Sequence, residues 1–245
     1  MAKIRTYGFI GCGNMGGALA RALVQRVDPA QVMLANRTQA KAEALAAELG
    51  AQAASVAEVA ARADAVIIGV KPQNLNALFD EIRPVLAARP WPNCRSKDIC
   101  DEADTCPDRL ILVSMCAGVS IARICELAGE DVAVVRIMPN LPAAVGEGTT
   151  LYCSHGIGPG TLKRLVESFA AAGTFVAVPE EQFDAGMAIS GCGPAFAFMF
   201  ADALAKGGVA AGLDYDQALT LALETMRGSA ALVAAESGRI RWYMA

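Results

Sequence analysis

Apolar and polar positions along the chain keep one rhythm through the first half and another after it. In the first half, short apolar runs alternate with segments of helical period. Residues 7–10 read as a strand ending in glycines, and 17–26 place Ala18, Leu19, Ala22 and Leu23 on one helix face. Residues 31–35 are a second strand, followed by a helix over 39–49 with Gly50 just past its end, a usual stop signal. A short helix is expected over 56–63. The near-continuous apolar run 65–70 fits a strand covered on both faces of a parallel sheet. A helix over 73–86, a strand over 110–114, a helix over 120–127 capped by Ser120 and a strand over 132–137 follow. Strand and helix in alternation predict an α/β fold with a doubly wound parallel sheet.

After Met138-Pro139-Asn140 the rhythm changes. Strands are expected at 149–153 and 175–178, flanking a helix over 161–171, and from Glu180 onward everything reads as helix. The segment 195–211 is apolar almost all round, the pattern of a buried helix, and 214–236 is another long one. The reading is therefore two domains, 1–175 with the sheet and 176–245 all helical. Residues 87–107 break the pattern. They are polar and proline-rich, hold Cys94, Cys100 and Cys106, and stand where a short helix-to-strand loop belongs, so a surface insertion is expected.

Composition narrows the class. Of 245 residues, 54 % are hydrophobic and 19 % charged, enough apolar material for a sizeable core and too much for disorder as the main state. The net charge of −4 implies no broad cationic face, so nucleic acid is not an expected partner. No signal peptide and no run of membrane length are expected: 186–201 is uncharged but interrupted by Gly191, Gly193 and Pro194 and stopped by Asp202. The eight cysteines lack the dense framework of a secreted scaffold, which points to reduced thiols and a cytoplasmic location. Cys94, Cys100 and Cys106 are too widely spaced for a structural zinc site and His155 is the single histidine, so no metal is expected.

Gly11-Cys12-Gly13-Asn14-Met15-Gly16 is a GxGxxG between a strand and a helix. In that context Gly11 permits the tight turn, Gly13 lets backbone approach a pyrophosphate, and Gly16 allows close helix–strand packing, while the helix N-terminus offers N–H groups to the phosphates. Dinucleotide binding is the reading; a glycine-rich turn without ligand is the alternative. The second strand ends in Asn36-Arg37-Thr38, without the carboxylate that binds ribose hydroxyls in NAD sites. A guanidinium, an amide and a hydroxyl suit a 2′-phosphate, so NADP(H) is expected, with NAD(H) possible. The alternative is a plain helix entry with Thr38 as cap and Arg37 solvated. Lys71, after the buried strand, meets cofactor or substrate or is simply solvated. Small residues after Ser114 suit a wall for a nicotinamide. Ser190-Gly191-Cys192-Gly193-Pro194 opens a helix at which an anion such as a substrate carboxylate could be received, or at which two helices cross closely.

The segments GCGNMGGALA, NRT, GVKPQ, CAGVS, RIMPNLPAAVGEG and ISGCGPAFAF occur in that order, and together they resemble the pyrroline-5-carboxylate reductase family, NAD(P)H enzymes that make L-proline from its cyclic imine. The MPN-x-P and SG-x-GPA segments are the specific ones. The resemblance covers residues 7–237 apart from the 87–107 insertion. It implies a Rossmann-type N-terminal domain and a helical C-terminal domain that pairs between subunits, as a homodimer or higher homo-oligomer. It implies cofactor contacts at Ile10, Gly11, Cys12, Gly13, Asn14, Met15 and Asn36, with Gly69, Val70, Lys71, Pro72, Met115, Cys116 and Ala117. Arg37 and Thr38 join them from the reading of the second strand. Glu180 is implied at the substrate end, beside Ser190, Gly191 and Gly193. A cofactor contact that is often Asn falls near Val56 and is missing unless Ser55 replaces it; the SG-x-G serine is Cys192. No catalytic acid–base residue is assigned, because a protonated imine is already electrophilic and the protein mainly positions ring against ring. The family's serine/threonine-rich carboxylate clamp would follow Gly238, where this chain runs only to Ala245, so NADP(H) binding with poor turnover is the expectation. Another NADP-dependent imine or cofactor reductase and an inactive NADP-binding product are the alternatives.

Overall fold

The computed structural model describes residues 4–89, 110–129 and 132–235. The strands are β1 (Tyr7–Ile10), β2 (Val32–Ala35), β3 (Gln52–Ala53), β4 (Ala65–Ile68), β5 (Ile111–Ser114), β6 (Ala133–Met138), β7 (Gly148–His155) and β8 (Gly173–Ala177). They form one sheet in the order β3-β2-β1-β4-β5-β6-β7-β8. The strands from β3 to β6 are parallel; β7 returns antiparallel beside β6, and β8 runs parallel to β7. The chain winds outward from β1 in both directions, which makes the gap between β1 and β4 the topological switch point of a doubly wound fold.

Helices α1 (Asn14–Leu23), α2 (Gln39–Leu49) and α6 (Pro159–Ser168) cover one face; α3 (Val56–Arg62), α4 (Leu75–Ala87) and α5 (Ile121–Ala128) cover the other. The alternation along β1 sorts its side chains accordingly. Phe9 packs with Leu19 and Phe169 on one side, and Ile10 with Val59 and Phe79 on the other. Gly8 keeps its place because α3 lies on it: a Cβ there would stand 2.4 Å from a Val59 methyl. Gly50 ends α2 at φ +69°, as its position after Leu49 predicts, and Ser120 accepts from Arg123 N to cap α5.

Differences from the sequence expectations have local causes. Helix α1 starts at Asn14 rather than at 17, because the Gly13 carbonyl already accepts from Gly17 N at 2.7 Å. Strand β3, two exposed residues long, has no apolar pattern to announce it. Of the 87–107 insertion, Ala87 to Arg89 are described, with the Arg89 guanidinium bound to the Ala60 and Ala63 carbonyls; the remainder, with Cys94, Cys100 and Cys106, lies outside the described residues.

Two compact units divide the chain at Met1–Gly191 and Cys192–Ala245, later than the expected 175/176. The reason is α7 (Phe183–Ser190), which packs on β7: a Cβ at Gly186 would stand 2.7 Å from Leu151 Cδ1. The second unit is a pair of helices, α8 (Gly193–Ala210) and α9 (Tyr215–Ala235), joined along a seam of Ala201, Ala205, Ala218 and Ala222. The expectation of a buried helix over 195–211 is overturned for the single chain: Phe196, Phe198, Met199 and Phe200 are 57–70 % exposed. An alanine seam covers one narrow stripe and leaves the aromatic residues of α8 without cover. The expectation of no membrane-length run also needs correction. Glu180–Ala210 passes that test by length and mean hydropathy alone, with a Gly191-Cys192-Gly193-Pro194 interruption in its middle.

Phe169 ties the return from α6 to the first strand, packing edge-on against Tyr7 and Phe9 with centroids 6.3 and 6.4 Å away. Phe169→Ala should lower stability by about 3–5 kcal/mol. In urea titrations the midpoint should fall with an unchanged slope.

Candidate functional site

Strand register builds the site. Ile10 pairs with Ala35 on one side and Ile68 on the other, and Ile68 pairs with Ser114, so β2, β1, β4 and β5 end level. The loops that leave these ends are Gly11 to Met15, Asn36 to Thr38, Gly69 to Pro72, and Met115 to Ala117. Every cofactor residue expected from the sequence therefore stands at one edge of the sheet.

The centre of that edge is backbone against backbone. Gly11 lies at φ +104°, and a Cβ on it would meet the Gly69 carbonyl oxygen at 2.5 Å. A Cβ on Gly69 would meet the Gly11 oxygen at 2.6 Å, and one on Gly16 would meet it at 2.1 Å. Gly13 differs: a Cβ there has nothing within 4 Å, so this glycine leaves an open cradle over the start of α1. No side chain caps that helix and its first turn holds no acidic residue. Uncapped N–H groups beneath an open glycine fit a dinucleotide's diphosphate.

The flanking polar groups divide into braces and exposed side chains. Asn36 is a brace: its Oδ1 accepts from Cys12 N at 3.3 Å and its Nδ2 donates to the Thr38 carbonyl at 3.2 Å. Arg37 and Thr38 are exposed, and Thr38 holds the N-cap position of α2 without a side-chain cap hydrogen bond. The Cys12 thiol points to the Ala35 carbonyl at 3.5 Å, and burial pushes its pKa up to about 11. A neutral thiol thus sits in the loop and adds no negative charge to it. Cys116 ties two loops together, its thiol donating to the Val70 carbonyl at 3.3 Å and its N–H to Ser114 Oγ at 3.3 Å. Lys71 is exposed at the start of the 3-10 turn Pro72–Asn74. Ser55 is committed elsewhere: it forms a capping box with Glu58, so the contact expected from it as an Asn replacement has no spare hydroxyl behind it.

At the other end of the edge, Glu180 has a structural task that the sequence did not announce. One carboxylate oxygen accepts from Arg136 Nη1 at 3.0 Å and from Ile121 N at 2.7 Å, joining β6 to the start of α5. The Arg136 guanidinium also lies 4.3 Å from the Phe183 ring centroid. Arg136 was readable as the lone charge inside the apolar run of β6. Asn140 was missed as well: its Oδ1 accepts from Thr149 N and its Nδ2 donates to the Ser190 carbonyl, both at 2.8 Å. The Ser190 hydroxyl turns back to Gly186 O at 3.1 Å. Gly191 follows α7 in the first unit, whereas Gly193 is the first residue of α8 in the second and has open space at its Cβ position. Burial and the nearby Glu180 push the Cys153 thiol up to about 11. His155 is exposed at the end of β7, and no cluster of metal-ligating side chains occurs among the described residues.

Comparison with known proteins adds independent findings. Residues 180–241 match the pyrroline-5-carboxylate reductase dimerisation family, and residues 6–90 match the family described as NADP oxidoreductase, coenzyme F420-dependent. The pyrroline-5-carboxylate reductase of Aquifex aeolicus is 33 % identical over 228 residues, covering 92 % of this chain and 77 % of the relative. That of Methanosarcina acetivorans is 34 % identical over 240 residues, covering 94 % and 79 %. Among solved structures, the Plasmodium falciparum pyrroline carboxylate reductase with NADP bound aligns at TM-score 0.76 and 27 % identity, covering 96 % of this chain and 80 % of that one. The Coxiella burnetii pyrroline-5-carboxylate reductase aligns at TM-score 0.82 and 25 % identity, covering 99 % and 86 %.

Two tests follow from the geometry. Gly13→Ala should fold normally yet bind NADPH more weakly, whereas Gly16→Ala should lose thermal stability, since only the latter meets backbone. Calorimetric binding and thermal melts on both variants separate the effects. For Cys12, with its thiol pKa near 11, alkylation by iodoacetamide should accelerate about tenfold per pH unit between pH 7 and 10. NADPH should protect it; mass spectrometry of the Cys12 peptide reads both.

Proposed function

The chain belongs to the pyrroline-5-carboxylate reductase family, and on that premise we propose how its residues divide the work. The protein is an NADP-dependent oxidoreductase of proline biosynthesis. In the proposed assignment, Ile10 to Met15 receive the diphosphate at the N-terminus of α1, and Arg37 and Thr38 receive the 2′-phosphate while Asn36 holds their loop to the glycine turn. Gly69 to Pro72 and Met115 to Ala117 wall the nicotinamide. The substrate is L-1-pyrroline-5-carboxylate, whose carboxylate is received at Ser190, Gly191 and Gly193. When bound, the reduced cofactor supplies the hydride that converts the imine carbon to the ring carbon of L-proline. The residues of this chain hold the two partners in register and need supply no strong acid, because the imine enters already protonated.

Glu180 enters this scheme as a positioning residue. Its bond to Arg136 and to the start of α5 holds the segment leading into α7, and that is the role its contacts support. The first unit carries the NADP-binding residues, and the dimerisation region is residues 180–241, which begins at the end of that unit and takes in the helix pair of the second. The uncovered aromatic residues of α8 support a homodimer built on that second unit. A cytoplasmic location belongs to the same proposal, supported by cysteines outside disulfides at Cys12, Cys116, Cys153 and Cys192.

The observation that carries the assignment is the level ending of four strands beside an open Gly13. Purified protein given NADPH and the cyclic imine should form one L-proline for each cofactor oxidised, and a rate well above background overturns the expectation of poor turnover. Arg37→Ala should weaken NADPH binding by about 1.5–3 kcal/mol, the scale of a charged hydrogen bond, and leave NADH binding nearly unchanged. Equal losses for both cofactors would refute the 2′-phosphate assignment.

A further inference from the structure

Helix α7 ends at Ser190, and the carbonyl of that residue faces a shortage. In a continuing helix it would accept from the N–H four residues on, which is Pro194, and proline has none. Gly191 N closes the helix on Met187 O at 2.8 Å, and Ala195 N turns to Cys192 O at 3.0 Å, so neither neighbouring donor serves Ser190. The missing donor comes from far along the chain: Asn140 Nδ2 reaches the Ser190 carbonyl at 2.8 Å.

Asn140 is well placed to do this. It follows β6, which is parallel to β5 and β4, so it leaves the sheet at the edge where the cofactor loops stand. It is 9 % exposed, and its Oδ1 is held by Thr149 N at 2.8 Å at the start of β7. That second bond fixes which way the amide faces: with the oxygen toward an N–H, the amino group must point at Ser190. A carboxylate of the same reach would keep the acceptor but offer no donor at neutral pH.

We propose that Asn140 is a positioning residue of the reductase, supplying the hydrogen bond that Pro194 withholds and so fixing the Ser190–Gly191 end of the turn at the carboxyl edge of the sheet. The turn can then keep its proline, and with it a helix start whose backbone is open to an anion, without leaving a carbonyl unpaired at the end of α7. This rests on the reading of Ser190, Gly191 and Gly193 as the substrate end, and it makes Asn140 act on imine binding through the turn rather than by touching the substrate.

The test uses the purified full chain. Asn140→Asp keeps the acceptor for Thr149 N and removes the donor to Ser190. It should raise KM for pyrroline-5-carboxylate by about tenfold or more, and change KM for NADPH by less than about twofold. Protonating the introduced carboxyl restores a donor, so the variant-to-parent ratio of kcat/KM should climb as pH falls toward that group's pKa. Pro194→Ala supplies the absent N–H, and the loss caused by Asn140→Asp should shrink in that background. Asn140→Ser, uncharged and too short to reach Ser190, replaces Asn140→Asp if the latter fails to fold, with NADPH binding and the thermal transition reporting folding. Parallel rises of both KM values, or a lowered melting temperature with an unchanged imine KM, would overturn the positioning role. Gly193→Ala distinguishes the two levels. A raised imine KM there, with none in the Asn140 variants, overturns the positioning role alone. An unchanged imine KM in Gly193→Ala overturns the substrate reading of the turn, and this proposal with it.

Discussion

The contact on which the rest of the molecule depends is the approach of the Gly11 carbonyl to the Gly69 backbone across β1 and β4. No Cβ fits on either residue, and none fits on Gly16 against the same carbonyl. With three glycines at one point, the first and fourth strands and the first helix close to backbone distance. The helix N-terminus is thereby brought to the switch point of the sheet, where its uncapped N–H groups face open space at Gly13. A single methyl at the wrong glycine would displace the helix and the strand ends together.

Around that point, polar side chains mostly hold loops rather than face a ligand. Asn36 braces the glycine loop, Cys116 joins the loops after β4 and β5, Glu180 bridges Arg136 and α5, and Asn140 joins β7 to the end of α7. Such a division suits hydride transfer. The electrophile needs little activation, so the protein's contribution is the accuracy with which two flat rings are held. Hydrogen-bonded amides and carboxylates give that accuracy because each removes alternatives for the backbone it binds.

The second unit follows a different principle. Its two helices share only a narrow alanine seam, and the aromatic residues of α8 face outward in the single chain. Apolar surface of that extent is costly in water, and residues 180–241, which include α8, match a dimerisation family.

Local chemistry alone determined the greater part of the first unit. The period of the apolar residues placed β1, α2, α3, β4, α5 and β6 within a few residues of their ends, since a strand buried on both faces and a helix with one apolar face each leave a distinct spacing. The GxGxxG and the Asn36-Arg37-Thr38 segment stand out in the sequence because their residues are neighbours along the chain, and the register of β1 and β2 brings both to one edge of the sheet. What sequence could not decide depends on groups distant along the chain. Exposed two-residue β3 has no apolar pattern of its own. The burial expected for 195–211 presumed a cover that the same chain does not provide. Glu180 was identified by its position before SG-x-GPA, but its bonds to Arg136 and Ile121 arise only when residues 44 and 59 positions away fold against it. Asn140 carried no signal beyond the MPN segment, and its bond to Ser190 forms only when α7 packs on β7. Patterns of period and turn are local, so sequence reports them; the pairing of a buried donor with its acceptor is set by the approach of whole elements, and only the tertiary structure decides it.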